Sequence, residues 1–434
     1  MQPLLDRFNA MTEGRLGLGV GIVLIGVLFA FLFLEALRAL LRIRADRVQQ
    51  RATMERLRMQ LQELKLRCEE AKQAQLQWNG YRKFEVFKKV VECEDVCAIY
   101  LKAHDGKSLA QYKPGQYLTF QLSVPGRDKP LVRCYSLSDS PHRSDYYRVT
   151  IKKERAPADR PDLPCGAGSS YFTDVVKEGD ILDVKAPSGH FFLEMAKSHP
   201  VVLIAGGVGV TPMLSMAQAV AASGSKREIW FFYGVRNSRE HIHKAELEKL
   251  AAENEHIHLN VCYSRPSPGD VKGRDFQHEG RVSIELLKEL LPSSNFEYYL
   301  CGNGSFMKSL TDGLEAWGVP ERDVHFEAFG PATVKKKAPE LTPSETQHLS
   351  KTQVTFKRSG KTVGWNPAVG NLLDLALANG IRIDAGCRAG GCGSCLVAIK
   401  SGTVSYLSQP DAAPEEGACL TCICRPASNL ELDA

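Results

Sequence analysis

The chain of 434 residues is long enough for about three domains of about 150 residues each. Its composition, 44% hydrophobic and 24% charged, excludes a mostly disordered chain, a collagen-like fibre and a polytopic membrane protein. The net charge of +5 is too small to indicate nucleic-acid binding. Thirteen cysteines, an odd number in a long chain, favour reduced thiols or metal ligands over a secreted disulfide scaffold.

The N-terminal segment, residues 1–35, contains an apolar run. Residues 16–34 read LGLGVGIVLIGVLFAFLFL without a charge, and at about 1.5 Å per residue a helix of this length spans about 28 Å. No A-x-A cleavage pattern follows, which disfavours a signal peptide, and a core helix is rarely apolar on every face. The run therefore predicts a single transmembrane helix.

Flanking arginines predict the orientation of this helix. Only Arg7 and Arg15 precede it, whereas seven arginines follow between Arg38 and Arg58. The positive-inside rule then predicts that the helix lies in the inner membrane with everything after Leu34 on its cytoplasmic side. Cysteines stay reduced in the cytoplasm, which agrees with this orientation.

Residues 36–79 have the pattern of a helical stalk. Met54, Leu57, Leu61 and Leu64 begin a short heptad seam, which Cys68 and Ala71 would continue. Gly17 and Gly21 form a small-xxx-small pair in the apolar run. Both features permit self-association, and a monomeric stalk is equally compatible with them.

Residues 80–195 change to short β-rich runs between Gly and Pro, which predicts an antiparallel β-barrel. Within it, Arg133 precedes Tyr135 and Ser136, and a Gly166–Ser169 turn follows. A guanidinium can hold a phosphate, a tyrosine ring can cover a flavin, and a serine hydroxyl can hydrogen-bond the flavin edge that exchanges protons. The turn exposes N–H groups to phosphate. Alone, the arginine motif is equally typical of an ordinary strand.

These residues resemble the ferredoxin–NADP reductase superfamily, and most closely the reductase half of flavohaemoglobins. Three further segments fall in the order of that family: Pro114–Tyr117, Lys152–Glu154 and Pro187–Phe192. The resemblance implies a flavin site, with FAD favoured over FMN. The flavin-binding residues it implies are Tyr117, Arg133, Tyr135, Ser136, Gly166 and Ser169.

Residues 196–331 alternate strand and helix patterns, which predicts a parallel α/β domain. A buried strand runs into a glycine-rich turn and a helix, which places N–H groups and the positive helix end against a pyrophosphate. The turn matches G-G-x-G-x-T-P of the reductase superfamily rather than G-x-G-x-x-G. The candidate nicotinamide-binding residues are Gly206, Gly207, Gly209, Thr211 and Pro212.

The resemblance extends to the end of this domain. It implies that Cys301 and Gly302 lie by the nicotinamide with Met307 nearby, although Asn303 stands where the family often has proline. It also implies that His325–Pro331 covers the flavin. In that segment Phe329 and Gly330 are candidate cofactor-binding residues. The candidate catalytic residues are Ser136, Cys301 and Glu327.

The choice between NADH and NADPH rests on loop residues. Arg236 and Arg265 lie on loops where a 2′-phosphate could be met, and no acidic residue is clearly placed to refuse it. The resemblance favours NADH, with NADPH as the alternative.

After a polar linker, residues 332–350, residues 351–434 carry a cysteine motif. Cys387, Cys392 and Cys395 have the C-x4-C-x2-C spacing of a plant-type [2Fe–2S] cluster, in a loop rich in glycine. Zinc is the alternative, although zinc motifs usually pair two C-x2-C knuckles. Cys419, Cys422 and Cys424 are candidates for the fourth ligand, and the family's L-T-C segment favours Cys422.

The expected fold is therefore α/β and multidomain: an antiparallel β-barrel, a parallel α/β domain and an α+β β-grasp ferredoxin domain, preceded by a transmembrane helix and stalk. The module order resembles phthalate dioxygenase reductase-type proteins. It implies an NAD(P)H-dependent reductase that feeds an oxygenase, hydroxylase or desaturase and binds no nucleic acid. The alternatives are a reductase for a hybrid-cluster protein and a membrane-tethered redox sensor with slow diaphorase activity.

Overall fold

The computed structural model describes residues 76–156, 160–329, 352–388, 390–408, 410 and 414–434, together with residues 27–29, 31–41, 44, 50, 53–61 and 64. The chain divides into two compact units, Met1–Ala74 and Gln75–Ala434.

The first unit is helical wherever it is described. Its apolar side chains face outward, including Phe29, Phe31 and Phe33, and so do Leu57 and Leu61 of the heptad seam. No helix among the described residues is long and apolar enough to cross a membrane. Most of the predicted span lies outside those residues, as do Gly17, Gly21, Cys68 and Ala71.

The second unit begins with a six-stranded antiparallel sheet in the order β4-β3-β6-β1-β2-β5. Its strands are β1 (Arg82–Cys93), β2 (Val96–Ala103), β3 (Tyr117–Leu122), β4 (Leu131–Ser136), β5 (Tyr147–Lys152) and β6 (Ile181–Ser188). A bridge between Leu137 and Val149 joins the two edge strands and closes the sheet on itself. Alternate side chains, among them Phe84, Leu101 and Phe120, fill the interior. A short helix, α1 (Ala167–Ser170), continues into a wider turn over Tyr171–Val175.

A six-stranded parallel sheet follows in the order β10-β9-β8-β7-β11-β12. Its strands are β7 (Val201–Gly206), β8 (Ile229–Val235), β9 (Ile257–Tyr263), β10 (His278–Glu279), β11 (Glu297–Gly302) and β12 (Val324–Ala328). The helices are α2 (Val210–Ala222), α3 (Lys244–Glu253), α4 (Ile284–Leu290) and α5 (Gly304–Ala316). Separate apolar clusters cover the two faces, as in sheets wound on both sides. The antiparallel and parallel sheets confirm the predicted mixed α/β architecture.

The C-terminal region has a mixed five-stranded sheet, ordered β14-β13-β19-β15-β17, beside a two-stranded ribbon of β16 and β18. The strands are β13 (Gln353–Phe356), β14 (Lys361–Gly364), β15 (Leu396–Ser401), β16 (Val404–Tyr406), β17 (Ala418–Leu420), β18 (Cys424–Pro426) and β19 (Leu430–Leu432). One helix, α6 (Leu372–Ala378), is capped by the side chain of Asn371 and packs Leu372 and Leu375 on the sheet. The cysteine-rich loop between α6 and β15 lies at the edge of this core.

Candidate functional site

The predicted flavin-binding residues converge at one end of the barrel. Tyr135 packs edge-on against Phe172, with ring centroids 5.1 Å apart. A Cβ on Gly168 would lie 2.8 Å from Arg133 Cγ and 3.2 Å from the Tyr135 hydroxyl, so α1 needs glycine at this position to approach β4 this closely. Ser170 Oγ is buried there without a hydrogen-bond partner among the described residues. This cradle fits a flavin nucleotide.

Ser169 and Tyr117 support this cradle by packing and internal hydrogen bonds. Ser169 Oγ donates to the Gly166 carbonyl and accepts from the Glu154 N–H, each over 3.0 Å, so its hydroxyl closes the turn. Tyr117 is buried, and a Cβ on Gly189 would lie 2.7 Å from its ring, at a φ of +117° that also favours glycine. Backbone N–H groups, rather than the Ser169 hydroxyl, are therefore the groups left for a phosphate.

The glycine-rich turn after β7 lies against the end of β11. A Cβ on Gly209 would lie 2.1 Å from the Cys301 carbonyl oxygen, so only glycine lets the two backbones meet. Gly207 has a φ of +56°, in the left-handed region. Thr211 Oγ1 donates to the Val208 carbonyl over 3.0 Å and fixes the turn, and Pro212 is buried in the first turn of α2. The turn presents the start of α2 as an anion site of the kind that holds a pyrophosphate.

The three candidate catalytic residues meet where the barrel and the parallel sheet adjoin. Cys301 on β11 is in register with Glu327 on β12, and the Ser136 side chain hydrogen-bonds the Glu327 carboxyl. Part of Glu327 is exposed, but its Oε2 is fully buried and has no partner among the described residues. Burial raises the pKa of Glu327 to about 8, and the Ser136 hydrogen bond, which acts to lower it, is the smaller effect. Burial also raises the pKa of the Cys301 thiol, with a further contribution from Glu327.

At neutral pH this junction therefore contains a neutral carboxyl and a neutral thiol. A negative charge here would oppose the arrival of a hydride, which also carries negative charge, and a neutral Glu327 avoids that repulsion. The Ser136 hydroxyl lies between the carboxyl and the flavin cradle. Glu327 can therefore hold a proton, and among the described residues the Ser136 hydroxyl is the one group to which it can pass that proton directly.

The structure describes two of three further predicted positions. Met307 is fully buried in the apolar cluster beneath α5, on the face of the sheet with Val202 and Phe232, where it packs the core. Phe329 is half-buried and its N–H donates to the Gly302 carbonyl over 2.9 Å, which brings its segment beside β11. Gly330 lies outside the described residues.

Phe306 is a residue that sequence reasoning missed. The Phe306 ring would lie 3.0 Å from a Cβ on Gly206 and 2.6 Å from one on Gly302, so it packs directly against both glycines beside the predicted nicotinamide site. Asn303 positions it, because the Asn303 side chain caps α5 by accepting from the Phe306 N–H over 3.0 Å. The Asn-x-x-Phe spacing after a strand was the available signal.

The four predicted metal-ligating cysteines form two pairs. Cys395 Sγ and Cys422 Sγ are 3.1 Å apart, and the Cys387 N–H donates to Cys392 Sγ over 3.2 Å while the Cys392 N–H donates back to Cys387 Sγ over 3.3 Å. Hydrogen bonds from Cys134, Cys387 and Ser394 lower the pKa of Cys392, which favours the thiolate that metal binding requires. Two pairs of thiols fit a two-iron cluster, with two ligands for each iron.

Glycines let the loop fold this tightly. Gly390 has a φ of +83°, and a Cβ there would lie 2.4 Å from Ile423 beside Cys422.

Across the part of the chain that the structure describes, no three or more His, Cys, Asp or Glu side chains gather as a site for one metal ion.

The other two candidates for the fourth ligand lie elsewhere. Cys419 and Cys424 are fully buried in the core between the sheet and α6, and their side chains hydrogen-bond each other. Only Cys422, in a 3₁₀ turn, reaches Cys395. The geometry therefore favours Cys422, as the sequence predicts.

A buried ionic cluster joins the barrel to the parallel sheet. Arg148 on β5 makes two 3.1 Å bonds to the Glu246 carboxylate on α3. His243 Nδ1 lies 3.2 Å from both Glu92 and Glu246, and its Nε2 lies 2.9 Å from Thr150 Oγ1. Burial opposes ionisation of both groups, but these bonds lower the pKa of Glu246 to about 2 and raise that of His243. The cluster holds the two sheets in one orientation.

Three family models match successive parts of the chain. The oxidoreductase FAD-binding domain matches residues 83–193, the oxidoreductase NAD-binding domain matches 203–312, and the 2Fe-2S iron-sulfur cluster binding domain matches 354–427.

Two flavohemoproteins are similar to about three fifths of the chain. The flavohemoprotein of Halalkalibacterium halodurans is 41% identical over 264 residues, which are 61% of this chain and 63% of the relative. The flavohemoprotein of Rhodopirellula baltica is 38% identical over 255 residues, which are 58% of this chain and 62% of the relative. The chain thus spans less than two thirds of the length of these relatives.

Two solved structures are similar to different shares of the chain. The flavohem-like FAD/NAD binding domain of nitric oxide dioxygenase from Vibrio cholerae is 32% identical with a TM-score of 0.52, and the match covers 58% of this chain and all of that one. Phthalate dioxygenase reductase, described as a modular structure for electron transfer from pyridine nucleotides to [2Fe–2S], is 25% identical with a TM-score of 0.50. That match covers 82% of this chain and 98% of that one.

The fold, the junction and these matches define an NAD(P)H-dependent oxidoreductase with FAD and [2Fe–2S] as its cofactors. Within that class, the chain combines a ferredoxin–NADP reductase-like module with a 2Fe–2S ferredoxin domain.

Proposed function

We propose that the chain is a membrane-anchored reductase that passes electrons from NADH through FAD and the [2Fe–2S] cluster to a partner oxygenase, hydroxylase or desaturase. The observation that carries this proposal is the convergence of the three sites within the Gln75–Ala434 unit. The flavin cradle adjoins the nicotinamide turn through Ser136, Cys301 and Glu327, and the barrel also contacts the cysteine loop, where Lys185 Nζ donates to the Cys392 carbonyl over 3.1 Å.

The residues at these sites have distinct tasks in this proposal. Arg133 and the turn at Gly166 hold the phosphates of the flavin nucleotide, and the turn at Gly209 holds those of the nicotinamide. Glu327 and Ser136 hold a proton beside the flavin edge. When bound, NADH supplies a hydride, FAD splits the pair of electrons, and the cluster carries them singly. Two electrons delivered one at a time suit a metalloprotein acceptor.

The iron–sulfur domain would have the β-grasp fold, which its mixed sheet and the helix α6 support. Cys387, Cys392, Cys395 and Cys422 are its proposed cluster ligands. The flavohemoprotein relatives match 264 residues, 61% of this chain, so they do not account for all three of its domains. The proposal is closer to the order of modules in phthalate dioxygenase reductase.

The choice between nicotinamides belongs to two adjacent loops. The Arg265 N–H donates to the Arg236 carbonyl over 2.8 Å, so the loops after β8 and β9 lie side by side. Arg236 pairs with Glu240 at 2.5 Å, which occupies its guanidinium and places a carboxylate beside it. This pairing supports NADH as the preferred donor, because a 2′-phosphate would have to displace Glu240.

The membrane anchor is the part of the proposal that the first unit supports. Its exposed phenylalanines at 29, 31 and 33 lie on a helix whose apolar surface has no covering partner among the described residues. Tethering would raise the effective concentration of the reductase near a membrane-bound acceptor, with its soluble modules in the cytoplasm. Cell fractionation of the full chain and of a variant lacking residues 1–35 tests this. Recovery of both in the same soluble fraction would refute the anchor.

Anaerobic titration with NADH tests the electron path. The flavin absorption and the cluster absorption should both bleach, and an electron paramagnetic resonance signal of a reduced cluster should appear. Sustained NADH oxidation with cytochrome c or ferricyanide is then expected. Reduction without sustained turnover would favour a redox sensor instead, and a protein that stays colourless after supply of FAD, iron and sulfide would refute the proposal.

A further inference from the structure

Three adjacent strands of the barrel place a row of side chains on its outer face. In register, Thr119 on β3 is opposite Cys134 on β4 and opposite Lys185 on β6. Thr119 Oγ1 and Cys134 Sγ are 3.4 Å apart. Cys134 lies between Arg133 and Tyr135 on β4, and successive residues of a strand face opposite sides. Arg133 Nη1 itself donates to the Ala385 carbonyl, next to the cysteine loop, over 3.5 Å. We name Cys134, Thr119 and Lys185 the barrel row.

The cysteine loop of the iron–sulfur domain lies directly on the barrel row. Lys185 Nζ donates to the Cys392 carbonyl over 3.1 Å, and the Cys134 side chain hydrogen-bonds those of Cys387 and Cys392. A Cβ on Gly386 would lie 3.6 Å from the Val132 carbonyl oxygen, so the two backbones nearly touch. These contacts involve two of the four proposed cluster ligands.

A second contact orients Lys185 from the side. Its Nζ lies 5.2 Å from the centre of the Tyr81 ring, in a cation–π arrangement that restricts a flexible side chain. Lys185 is half-buried between the ring and the loop, so its charge acts through a medium of lower dielectric than water.

We propose that the barrel row is the docking surface for the cluster-ligand loop of this same chain, and that Lys185 and Cys134 raise the reduction potential of the cluster bound there. Lys185 and Cys134 are positioning residues: they act through the Cys392 carbonyl and the ligand sulfurs. This inference rests on the proposed function, because it describes how the flavin-to-cluster step is driven.

The physical reason is the charge that the cluster gains. A cluster held by the four thiolates would gain one negative charge when it accepts one electron from bound reduced flavin, and no ligand bond would be made or broken. A neighbouring ammonium and a thiol hydrogen bond to a ligand sulfur both stabilise the added charge. Each hydrogen bond contributes on the order of 1 kcal/mol, a factor of about five in the equilibrium.

Lys185→Gln tests the charge. We expect the electron-sharing equilibrium between flavin and cluster to shift about three- to tenfold toward the flavin, which is about 30–60 mV for a one-electron couple. The measurement is a spectroelectrochemical titration of the holoenzyme, with stopped-flow measurement of flavin-to-cluster transfer. Lys185→Arg keeps the positive charge and should therefore keep the cluster potential of the wild type. Lys83→Gln is the matched control, because Lys83 is an exposed barrel lysine paired with Asp183 at 2.8 Å.

Cys134→Ala tests the thiol, with Cys97→Ala as its control. Cys97 is a buried thiol of the same barrel that faces the carbonyl of Phe172, away from the loop. Cys134→Ala should lower the cluster potential and change its paramagnetic resonance spectrum, whereas Cys97→Ala should leave both unchanged. Equal potentials and equal transfer rates in Lys185→Gln, Cys134→Ala and the wild type would overturn the inference.

Two further outcomes also decide the matter. If Lys83→Gln shifts the potential as much as Lys185→Gln, the effect is a general one of net charge and the docking role is refuted. If NADH reduces neither flavin nor cluster in the wild type, the proposed function itself fails. If NADH reduces the wild type normally and the variants keep the wild-type potential and transfer rate, only the proposed role of the barrel row is refuted.

Discussion

Replacement of Glu327 by glutamine tests the electrostatics at the junction of the flavin and nicotinamide sites. Burial raises the pKa of Glu327 from its ordinary 4.5 to about 8. Each pKa unit corresponds to about 1.4 kcal/mol, so ionising this carboxyl in the folded protein costs about 5 kcal/mol more than in water. Between pH 4.5 and about 8, Glu327 is therefore neutral in the folded protein and ionised in the unfolded chain.

The sign of the stability effect follows from proton linkage. Between pH 4.5 and 8 the folded state binds more protons at Glu327 than the unfolded state does, so this group lowers the free energy of unfolding as the pH rises. At pH 7 the penalty is about 3 kcal/mol, and it reaches about 5 kcal/mol above pH 8. Glu327→Gln removes it, less about 1 kcal/mol for the buried amide. The variant should therefore be the more stable protein at pH 7–9 and not at pH 4.

Glu297→Gln is the matched control with the opposite sign. Glu297 lies at the start of β11, where burial acts against ionisation but Lys197 and Arg227 outweigh it and lower the pKa; Arg227 bonds it at 2.8 Å. Its contribution to stability is present above its ordinary pKa and is lost as the pH falls through the lowered value. Glu297→Gln should therefore destabilise the protein at neutral pH, with a deficit that shrinks in acid.

The assays are thermal unfolding of each variant from pH 4 to 9 and stopped-flow reduction of the flavin by NADH. In the wild type the reduction rate should fall above about pH 8 as Glu327 ionises beside the hydride path. This limb should be missing in Glu327→Gln. A variant less stable than the wild type at pH 9, or a stability difference that does not vary with pH, would refute a buried neutral carboxyl.

Three further predictions concern other parts of the structure. Cys422→Ser should lose the visible absorption of the cluster and Cys424→Ser should keep it, since only Cys422 lies 3.1 Å from Cys395; the reverse result would exclude the ligand assignment. His243→Asn should lower the thermal midpoint most below pH 6.5 and progressively less as the pH rises through the raised pKa of His243, as a scan over pH will show. Gly209→Ala should slow flavin reduction by NADH at least tenfold with normal FAD content, because its Cβ would lie 2.1 Å from the Cys301 oxygen, whereas Gly269→Ala, with open space around it, should match the wild type.

The fold was predictable where local pattern determines it. The helix over 244–253 is where its sequence places it, because five apolar and five charged residues of one segment decide its amphipathic face. The strand at 201–206 is a continuous apolar run, as strands covered on both faces are. Cysteine spacing indicated the loop of the iron–sulfur domain for a similar reason, since Cys387, Cys392 and Cys395 lie close together in one short segment.

Contacts between distant segments were not predictable in this way. The pairing of Arg148 with Glu246 joins residues 98 positions apart, and no local periodicity marks either of them. Met307 was expected near the nicotinamide because of its position in a motif, but capping of α5 by Asn303 turns Phe306 toward the glycines and Met307 into the core. One residue of helix rotates a side chain by about 100°, which is enough to exchange the two roles.

Cys134 shows where sequence reasoning could have gone one step further. The alternation of a strand places Cys134 on the face of β4 opposite Arg133 and Tyr135, beside Thr119 on β3. Ser136, which hydrogen-bonds Glu327, follows two residues later at the end of the strand. Because Cys134 also hydrogen-bonds Cys387 and Cys392, one short motif on β4 contacts both the junction of the flavin and nicotinamide sites and the cysteine loop.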